Sequence, residues 1–435
     1  MSENIQRFEA FDDIDKPSQE IIKDCVHCGF CLSACPTYLV TSNELDSPRG
    51  RIYLIKSALE GEIPMSEPFV KHLDLCLGCL ACEPACPSGV KYGKLIETTK
   101  SQIERNYTRP FSETITKSII FKIFPYSFRL KLLVPLLFLY QKSGLNRVFK
   151  KLGMLKLIPN KLVNMNDLMP EIDINKVFRG YKNFYPAKNN PKINVILLKG
   201  CVQSVFFPNT NFATINVLTK NGCNVLIPKK QGCCGALSVH SGRLEEGRNF
   251  ARKLVDSFER YDADAIIVNS AGCGSTLKEY VDLLKDDPYY SEKAKLISEK
   301  TMDIMEFLDE IGIYEDFNNI HAKVTYQDAC HIAHAQGIKA APRNLINKIP
   351  GIEFVEMQES DLCCGSAGIY NLVQTEMSEN LLNRKIANLK ETKTDMLISG
   401  NPGCLLQIEK GIKSNNLDIK TLHPVELLDR AYKRG

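Results

Sequence analysis

Eight cysteines near the amino terminus repeat one spacing twice, and this spacing constrains the fold more than any other feature of the chain. Residues 25–36 and residues 76–87 each follow the pattern C-x2-C-x2-C-x3-C-P without deviation. Three cysteines this close in sequence wrap three corners of a four-iron cube, whereas the fourth lies too far along the chain and ligates the other cube. The pattern therefore predicts a domain built around two [4Fe–4S] clusters.

The crossed arrangement gives each cube one cysteine from the other run. A zinc site needs four ligands, usually as two C-x2-C pairs, and eight cysteines in two compact runs fit that interpretation poorly. The predicted ligands are Cys25, Cys28, Cys31 and Cys86 for the first [4Fe–4S] cluster, and Cys76, Cys79, Cys82 and Cys35 for the second.

The segment between the two runs predicts a helix. Ile52, Ile55 and Leu59 recur at helical spacing, and Gly61 is a plausible stop. An insert of this kind resembles the helical two-cluster ferredoxin domains of quinone-linked dehydrogenases. Arg49 and Arg51 at its start either screen cluster charge or belong to a solvated helix end, and the sequence leaves both possibilities open.

Composition places the cysteines in a reducing compartment. The first ten residues include acidic side chains and no apolar stretch, which does not fit a secretory signal and predicts a cytoplasmic protein. In such a protein 17 cysteines indicate metal or redox chemistry, because cytosolic thiols stay reduced. With 55 basic and 51 acidic residues, bulk charge does not indicate a nucleic-acid partner.

Residues 117–156 combine apolar and basic side chains and contain no Asp or Glu. The apolar run 132–140 is only nine residues long and contains a proline, so it is too short to span a bilayer. The segment suits either a helix on an anionic membrane face or a hairpin packed on the ferredoxin domain or on a partner. Residues 157–190 are predicted to be a linker. The basic residues are Lys117, Lys122, Arg129, Lys131, Lys142, Arg147, Lys150, Lys151 and Lys156.

Eight further cysteines form an internal repeat, and Cys223 is predicted to be an isolated packed thiol. Four landmarks in the first half recur in the second at offsets of 129, 130, 130 and 131 residues. Chance does not keep four landmarks in step over that distance, so the chain contains two copies of one unit. The first copy has Cys201, Cys233, Cys234 and Cys273, and the second has Cys330, Cys363, Cys364 and Cys404.

An apolar segment precedes each cysteine of the repeat, and helical stretches such as 243–260 and 375–392 follow. Buried strands alternating with helices predict parallel sheets with their sites at the carboxyl ends of the strands. Each copy would thereby bring four thiols into one crevice, where they are possible ligands of a further iron–sulfur cluster. The predicted strands are 193–198, 224–228, 265–268, 323–326, 354–357 and 395–398.

The repeat resembles the cysteine-rich CCG domain, which occurs in pairs in heterodisulfide reductases. In that family the last element is Cys-x-x-Cys, and five cysteines hold a non-cubane cluster that acts on disulfides. Here Thr276 and Gln407 stand where the fifth cysteine of each copy would be. The five-cysteine site is therefore incomplete.

Several short strings, most of them in the carboxyl-terminal part of the chain, narrow the resemblance to the glycolate oxidase (glycolate dehydrogenase) iron–sulfur subunit family. This resemblance implies a membrane-associated complex in which FAD-binding subunits oxidise glycolate to glyoxylate. The strings that carry it are residues 47–51, 328–331, 342–343, 363–368, 401–407 and 423–428.

No Rossmann glycine fingerprint follows an early strand, so any flavin is expected on a partner subunit. The predicted protein is an electron-transfer subunit of a flavin-dependent 2-hydroxy-acid dehydrogenase. It would relay electrons toward membrane quinone from the inner face of the cytoplasmic membrane. Its expected domains are residues 1–110 (ferredoxin), 111–190 (basic segment and linker), 191–315 and 316–435 (CCG).

Three alternatives stay open at this point. The chain could serve a lactate or an anaerobic glycerol-3-phosphate dehydrogenase, or be a heterodisulfide-reductase-like catalyst, or a non-enzymatic iron–sulfur sensor. His240, His331 and His334 lie near the repeated cysteines. They either tune potential and move protons or are hydrogen-bonded loop residues.

Overall fold

In the computed structural model, which describes residues 8–143, 166–191 and 193–432, both amino-terminal cysteine runs lie mainly in turns and loops between short helices. The predicted insert helix spans Pro48–Leu59, and Ser47 caps it by accepting a hydrogen bond from the Gly50 amide at 3.1 Å. Ile55, Leu73 and Leu95 are fully buried between these helices. The helices are Gln19–Lys23, Pro36–Thr41, Pro48–Leu59, Glu67–Asp74 and Tyr92–Asn106, with a 3-10 turn at Glu44–Asp46.

The basic, apolar segment begins as two helices, Phe111–Ile123 and Ser127–Lys142, which bend by 105° at the break between them. In the described part of the chain no single helix has the length and apolar character to cross a membrane. This bent pair meets the length and composition requirements only when its two helices are taken together. Arg147, Lys150, Lys151 and Lys156 lie outside the described residues.

Each cysteine repeat forms a mainly parallel sheet, as the sequence predicts. The strand orders are β1-β3-β2-β4-β5 and β7-β6-β8-β9, and β1 alone pairs antiparallel. The central pairings preserve the repeat, because Val195 pairs with Ala265 and Val324 pairs with Met396. The strands are Phe184–Tyr185 (β1), Ile193–Leu197 (β2), Cys223–Leu226 (β3), Ala265–Val268 (β4), Thr301–Asp303 (β5), Ala322–Tyr326 (β6), Ile352–Phe354 (β7), Met396–Ile398 (β8) and Lys420–Leu422 (β9).

The two repeats share one hydrophobic core. Val195 and Val225 of the first repeat belong to the same buried cluster as Val324, Leu345 and Leu427 of the second. Helices from both repeats pack against this core, namely Pro208–Lys220, Ile304–Ile311, Ala340–Asn347 and Pro424–Tyr432. The helices Leu244–Phe258, Ala271–Lys278, Ser291–Lys300, Thr375–Thr392 and Pro402–Ser414 contribute to two further buried clusters. Shorter helices are Gln203–Phe206, Ala236–His240, Tyr280–Leu283, Cys330–Ala333 and Tyr370–Val373.

Two details differ from the sequence-based expectations. The strand predicted at 354–357 is instead Ile352–Phe354, an edge strand that pairs with β6 on one side only. The predicted linker contains the helix Ile174–Phe178 and the strand β1. Because β1 is only two residues long, alternation of apolar residues could not reveal it.

Candidate metal centres and the cavity between the repeats

The first predicted cluster site lies at the surface of the helical domain. Cys28 is exposed, and Cys25, Cys31 and Cys86 are half-buried. Cys86 and Cys28 are the nearest thiol charges acting on Cys25, so the structure brings the last cysteine of the second run to the first run. Val26 and Phe30, in the same loop, are exposed by 67% and 66%.

The second predicted site is buried. Cys35, Cys76, Cys79 and Cys82 are all buried, and the nearest thiol charges acting on Cys82 are those of the other three. Cys35 reaches this position because it is the N-cap of the helix Pro36–Thr41. The neighbours of Cys25 and Cys82 agree with the crossed sets, and the full assignment of the eight ligands stays a prediction.

Arg51 is fully buried close to Cys76 and Cys35 of the second site. Its guanidinium donates to the His72 carbonyl at 2.7 Å and to Thr37 Oγ1 at 3.1 Å. The charges of Cys76 and Cys35 help to raise the pKa of Arg51 against the opposing effect of burial. Of the two roles left open for this arginine, the structure favours charge screening, because Arg51 is not at a solvated helix end.

Burial and charge act in opposite directions on the thiols of the second site. Burial raises the pKa of Cys79 and Cys82 well above the usual range, so their thiolates need a metal centre beside them. At Cys76 burial also opposes ionisation, but the charges of Arg51 and Lys100 outweigh it and lower the pKa. Tyr92 Oη additionally donates to Cys76 Sγ at 3.5 Å.

The donor set fits iron–sulfur cubes better than single ions. Among the described residues no three histidine, cysteine or carboxylate side chains converge tightly enough to hold one metal ion. A four-iron cube places one thiolate at each of four separate corners, so its ligands need not meet at a point. Each predicted set supplies four thiols, the number of corners of one cube.

In the first repeat the cysteines meet in pairs at the carboxyl ends of the strands. Cys201 Sγ lies 3.5 Å from Cys233 Sγ, and Cys234 Sγ lies 3.1 Å from Cys273 Sγ. Gly235 follows with a φ of +87°, a backbone conformation that side chains other than that of glycine rarely adopt. The four thiols predicted from sequence to share one crevice do so.

The second repeat has the same arrangement. Cys363 contacts Cys330, and Cys364 contacts Cys404. Asn401 Nδ2 donates to Cys404 Sγ at 3.3 Å.

The two positions that lack a fifth cysteine have other partners. Thr276 Oγ1 lies 3.3 Å from His240 Nε2. Gln407 donates to Ser378 Oγ at 2.9 Å and accepts from Asn371 Nδ2 at 3.0 Å. Both side chains are buried in hydrogen-bond networks.

One cavity of about 780 Å³ joins the sites, and no sequence pattern predicts it. Every cysteine of both repeats except Cys223 lines it, together with Cys76 of the second predicted cube. The bent helical segment closes another side with apolar residues, including Leu130, Leu133 and Leu137. The cavity therefore has thiols on one wall and aliphatic side chains on another.

The second predicted cube borders the second repeat directly. Cys79 shares a buried cluster with Cys363 and Cys330, and the charge of Cys330 helps burial to raise its pKa. Tyr370 Oη also donates to the Leu75 carbonyl at 2.9 Å across this boundary. No sequence signal connects these segments.

Two of the three histidines lie where the ferredoxin domain and both repeats meet. His240 Nδ1 lies 2.8 Å from Glu97 Oε1, and its ring packs edge-on against His331 at 4.7 Å. His331 Nε2 lies 2.9 Å from the Gly78 carbonyl. His334 instead bonds the Asp361 carbonyl at 2.9 Å within its own repeat.

Comparisons with known proteins match this architecture along most of the chain. The model of the 4Fe-4S dicluster domain matches residues 21–90, and that of the cysteine-rich domain matches residues 195–278 and 324–409. The model of the linker region of the glycolate oxidase iron-sulfur subunit matches residues 112–169.

Similar proteins agree with these matches. A probable glycolate oxidase iron-sulfur subunit of Bacillus subtilis is 41% identical over 411 residues, which cover 93% of each chain. The glycolate oxidase iron-sulfur subunit of Escherichia coli is 31% identical over 442 residues, covering 100% of this chain and 98% of that protein. A lactate utilization protein A of Halalkalibacterium halodurans is 31% identical over 238 residues, covering 54% of this chain and 97% of that protein.

Proposed function

The chain belongs to the glycolate oxidase iron–sulfur subunit family, and from this we propose that it carries electrons from a partner's flavin to a membrane quinone. The observation that supports this most directly is the grouping of the eight amino-terminal cysteines into a surface set and a buried set. Iron–sulfur clusters supply one-electron transfer when bound. The residues of this chain hold the clusters, bury the second one and set its charge environment.

The proposed ligands are those of the crossed pattern. Cys25, Cys28, Cys31 and Cys86 hold the first [4Fe–4S] cluster, and Cys76, Cys79, Cys82 and Cys35 hold the second. Support comes from the charge neighbours of Cys25 and Cys82, which follow these sets.

Further iron–sulfur clusters are proposed in the two CCG domains. Cys201, Cys233, Cys234 and Cys273 are the candidate ligands in the first, and Cys330, Cys363, Cys364 and Cys404 in the second. The contact of Cys330 with the Cys79 region supports a route that continues from the second cube into the second repeat.

The partner subunits are proposed to bind FAD and to oxidise glycolate to glyoxylate. The exposed apolar side chains of Val26 and Phe30 beside the exposed Cys28 support docking of a flavin-bearing subunit at the first cluster. The surface cluster would then receive electrons, and the buried one would pass them inward.

A peripheral position on the inner face of the cytoplasmic membrane is proposed for the bent helical segment. Phe128, Leu132, Leu136 and Leu139 form one outward stripe at helical spacing, and Phe128 is 72% exposed. Lys122 and Arg129 beside it are also exposed. Apolar and basic groups together suit an anionic lipid surface.

The proposal is tested on the complex purified anaerobically from the membrane fraction. Iron analysis is expected to give at least eight irons per copy of this chain. Cys79→Ser is expected to damage one cube and abolish electron flow from glycolate to quinone, while glycolate oxidation with an artificial acceptor at the flavin persists. Cys223→Ser, at the buried thiol outside both repeats' sets, is the matched control. Zinc in place of iron, or full quinone reduction by Cys79→Ser, would contradict the proposal.

Lactate is the second candidate substrate for the complex, because relatives named for lactate utilization match 54% of the chain. Comparing glycolate and lactate as electron donors to the same purified complex separates the two. Catalysis at the CCG sites by the chain alone is less well supported, since Thr276 and Gln407 have hydrogen-bond partners in place of fifth thiols.

A further inference from the structure

One wall of the cavity between the repeats is aliphatic. This wall belongs to the same helix that carries the outward stripe. Leu130, Leu133 and Leu137 of Ser127–Lys142 line the cavity. Phe128, Leu132 and Leu136 on the same helix are exposed. A single helix therefore borders both an apolar surface stripe and the space that the cysteines line, and Leu133 of the cavity wall is itself 36% exposed. Phe124, Leu168 and Met169 extend the apolar wall.

Gln203 lies in the wall of this cavity without a hydrogen-bond partner. Its side chain is 3% exposed, and neither Nε2 nor Oε1 has a partner. It follows Cys201 by two residues and begins the short helix Gln203–Phe206, which also contains the apolar residues Val205 and Phe206. A buried amide without partners costs about 1–3 kcal/mol, so an occupant that bonds it gains a specific anchor.

These features together define the chemistry of the occupant. It has a hydrogen-bonding carbonyl for Gln203 Nε2, an apolar body for the leucine wall, and the lipid solubility that suits a cavity bordered by the proposed membrane-facing helix. It also lies beside thiols proposed as ligands of redox centres, so it is itself an electron acceptor. A lipid-soluble quinone meets all four conditions, whereas a fatty acid or phospholipid tail fails the last.

We propose that a quinone is reduced in this cavity, with its head group bonded by Gln203 and its tail along Leu133 and Leu137. The inference rests on the proposed function and assigns a place to its final step. Two electrons reach the quinone one at a time from the reduced iron–sulfur centres, which the partner's flavin refills by oxidising the 2-hydroxy acid. Two protons from solvent complete the quinol, and no bond of this chain forms or breaks.

The test uses the membrane-purified complex with its clusters loaded and a short-chain azido-ubiquinone as photoprobe. Labelling is expected on peptides containing Gln203–Phe206 or residues 130–140. Gln203→Leu is expected to weaken equilibrium binding of the unlabelled short-chain quinone roughly tenfold, as removal of one buried hydrogen bond implies. Leu137→Lys is expected to reduce labelling at the same peptides. Gln358→Leu, at an exposed glutamine, is the matched control.

Iron content and reduction of the clusters by glycolate are measured on every variant, so that loss of folding or of electron supply is recognised. If the clusters fill and quinone is reduced but the probe labels other peptides, the inference is overturned while the proposed function stands. Unchanged quinone affinity in Gln203→Leu also overturns the inference. It would show that Gln203 does not bond the quinone and that ordered water satisfies the amide in the wild-type protein. If wild-type clusters are not reduced by the hydroxy acid, the proposed function itself fails.

Discussion

His240 Nδ1, in the first repeat, lies 2.8 Å from Glu97 Oε1 on the ferredoxin helix Tyr92–Asn106. These residues are 143 positions apart in the chain. Next to them, a Cβ on Gly242 would lie 2.4 Å from the Lys100 carbonyl carbon, so only glycine allows this backbone approach. Contact between the ferredoxin domain and the first repeat therefore includes one close backbone packing and one titratable pair, beside the ion pairs Lys94–Asp282 and Arg248–Asp15.

The His240–Glu97 pair predicts a pH-dependent contribution to stability. Burial lowers the pKa of His240, but the hydrogen bond and charge of Glu97 outweigh burial and raise it above 6.5. A raised histidine pKa stabilises the fold fully below pH 6.5 and loses that contribution as pH rises through the folded value. Lys100 and His331 also face this imidazole.

His240→Gln should therefore lower the free energy of unfolding by roughly 1 kcal/mol at pH 6 and by less at pH 8.5. Chemical denaturation of the two proteins at both pH values measures the difference. His321→Gln, at a histidine outside this junction, is the control. If the free energy of unfolding falls equally at both pH values, the stabilisation by this pair does not depend on the charge of His240.

Substitution of Glu279 is expected to have the opposite effect on the free energy of unfolding. Burial, reinforced by the charge of Glu97, raises the pKa of Glu279 from 4.5 to about 8. Its ionisation in the folded protein is therefore unfavourable, and the cost grows as pH rises from 4.5 to about 8. Glu279→Gln should stabilise the protein by up to a few kcal/mol at pH 8.5 and have little effect near pH 4.5.

Thermal unfolding of Glu279→Gln across this pH range tests the expectation, and Glu292→Gln at an exposed position is the control. Destabilisation by Glu279→Gln at pH 8.5 would mean that the carboxylate has a stabilising partner.

Arg51 should set the potential of the second cluster. A buried positive charge beside Cys35 and Cys76 favours the reduced, more negative state of a cluster held there. Arg51→Met should lower the midpoint potential on the order of 60 mV, which corresponds to about 1.4 kcal/mol for one electron. Arg51→Lys retains the charge and should retain most of the potential.

Redox titration followed by electron paramagnetic resonance measures this shift. Arg49→Gln is the control, because Arg49 is paired with Glu44 near the first site. An equal shift in Arg51→Lys and Arg51→Met would assign the effect to packing and not to charge.

The outward stripe should govern membrane binding. Replacing both Leu132 and Leu136 by serine removes apolar area that is 62% and 66% exposed in the free chain. Co-sedimentation of the complex with anionic vesicles should fall at least tenfold, because each lost side chain contributes about 1–2 kcal/mol at a lipid surface. The matched control replaces two exposed residues of the first repeat, Leu296 and Tyr314, by serine in the same way. Unchanged sedimentation would assign the stripe to a protein partner.

The cysteine spacing predicted both the helical domain and the two repeats because cluster geometry and sheet alternation are encoded over short distances. Cys25 to Cys35 and Cys76 to Cys86 each lie within one turn-rich segment. The offset of the repeat likewise predicted four thiols at each sheet edge, which Cys201 and Cys233 show at 3.5 Å.

The shared cavity and the role of Arg51 could not be predicted in the same way. Tertiary packing of segments far apart in sequence brings Cys79 close to Cys330 and forms the hydrogen bond between His331 and Gly78. The same packing buries the Gln203 amide without a hydrogen-bond partner. The spacing of apolar residues and cysteines along the chain does not indicate which repeat faces the ferredoxin domain. The bent segment was ambiguous for a related reason, since its apolar residues serve an inner wall and an outer stripe at once.

The unequal burial of the two cysteine sets has a chemical consequence for handling the protein. Dissolved oxygen reaches Cys28 at the surface, whereas Cys79 and Cys82 are enclosed by packed side chains. If the two sets hold the proposed clusters, exposure to air should damage the surface cluster first, and the buried cluster would then lose its route to the electron donor.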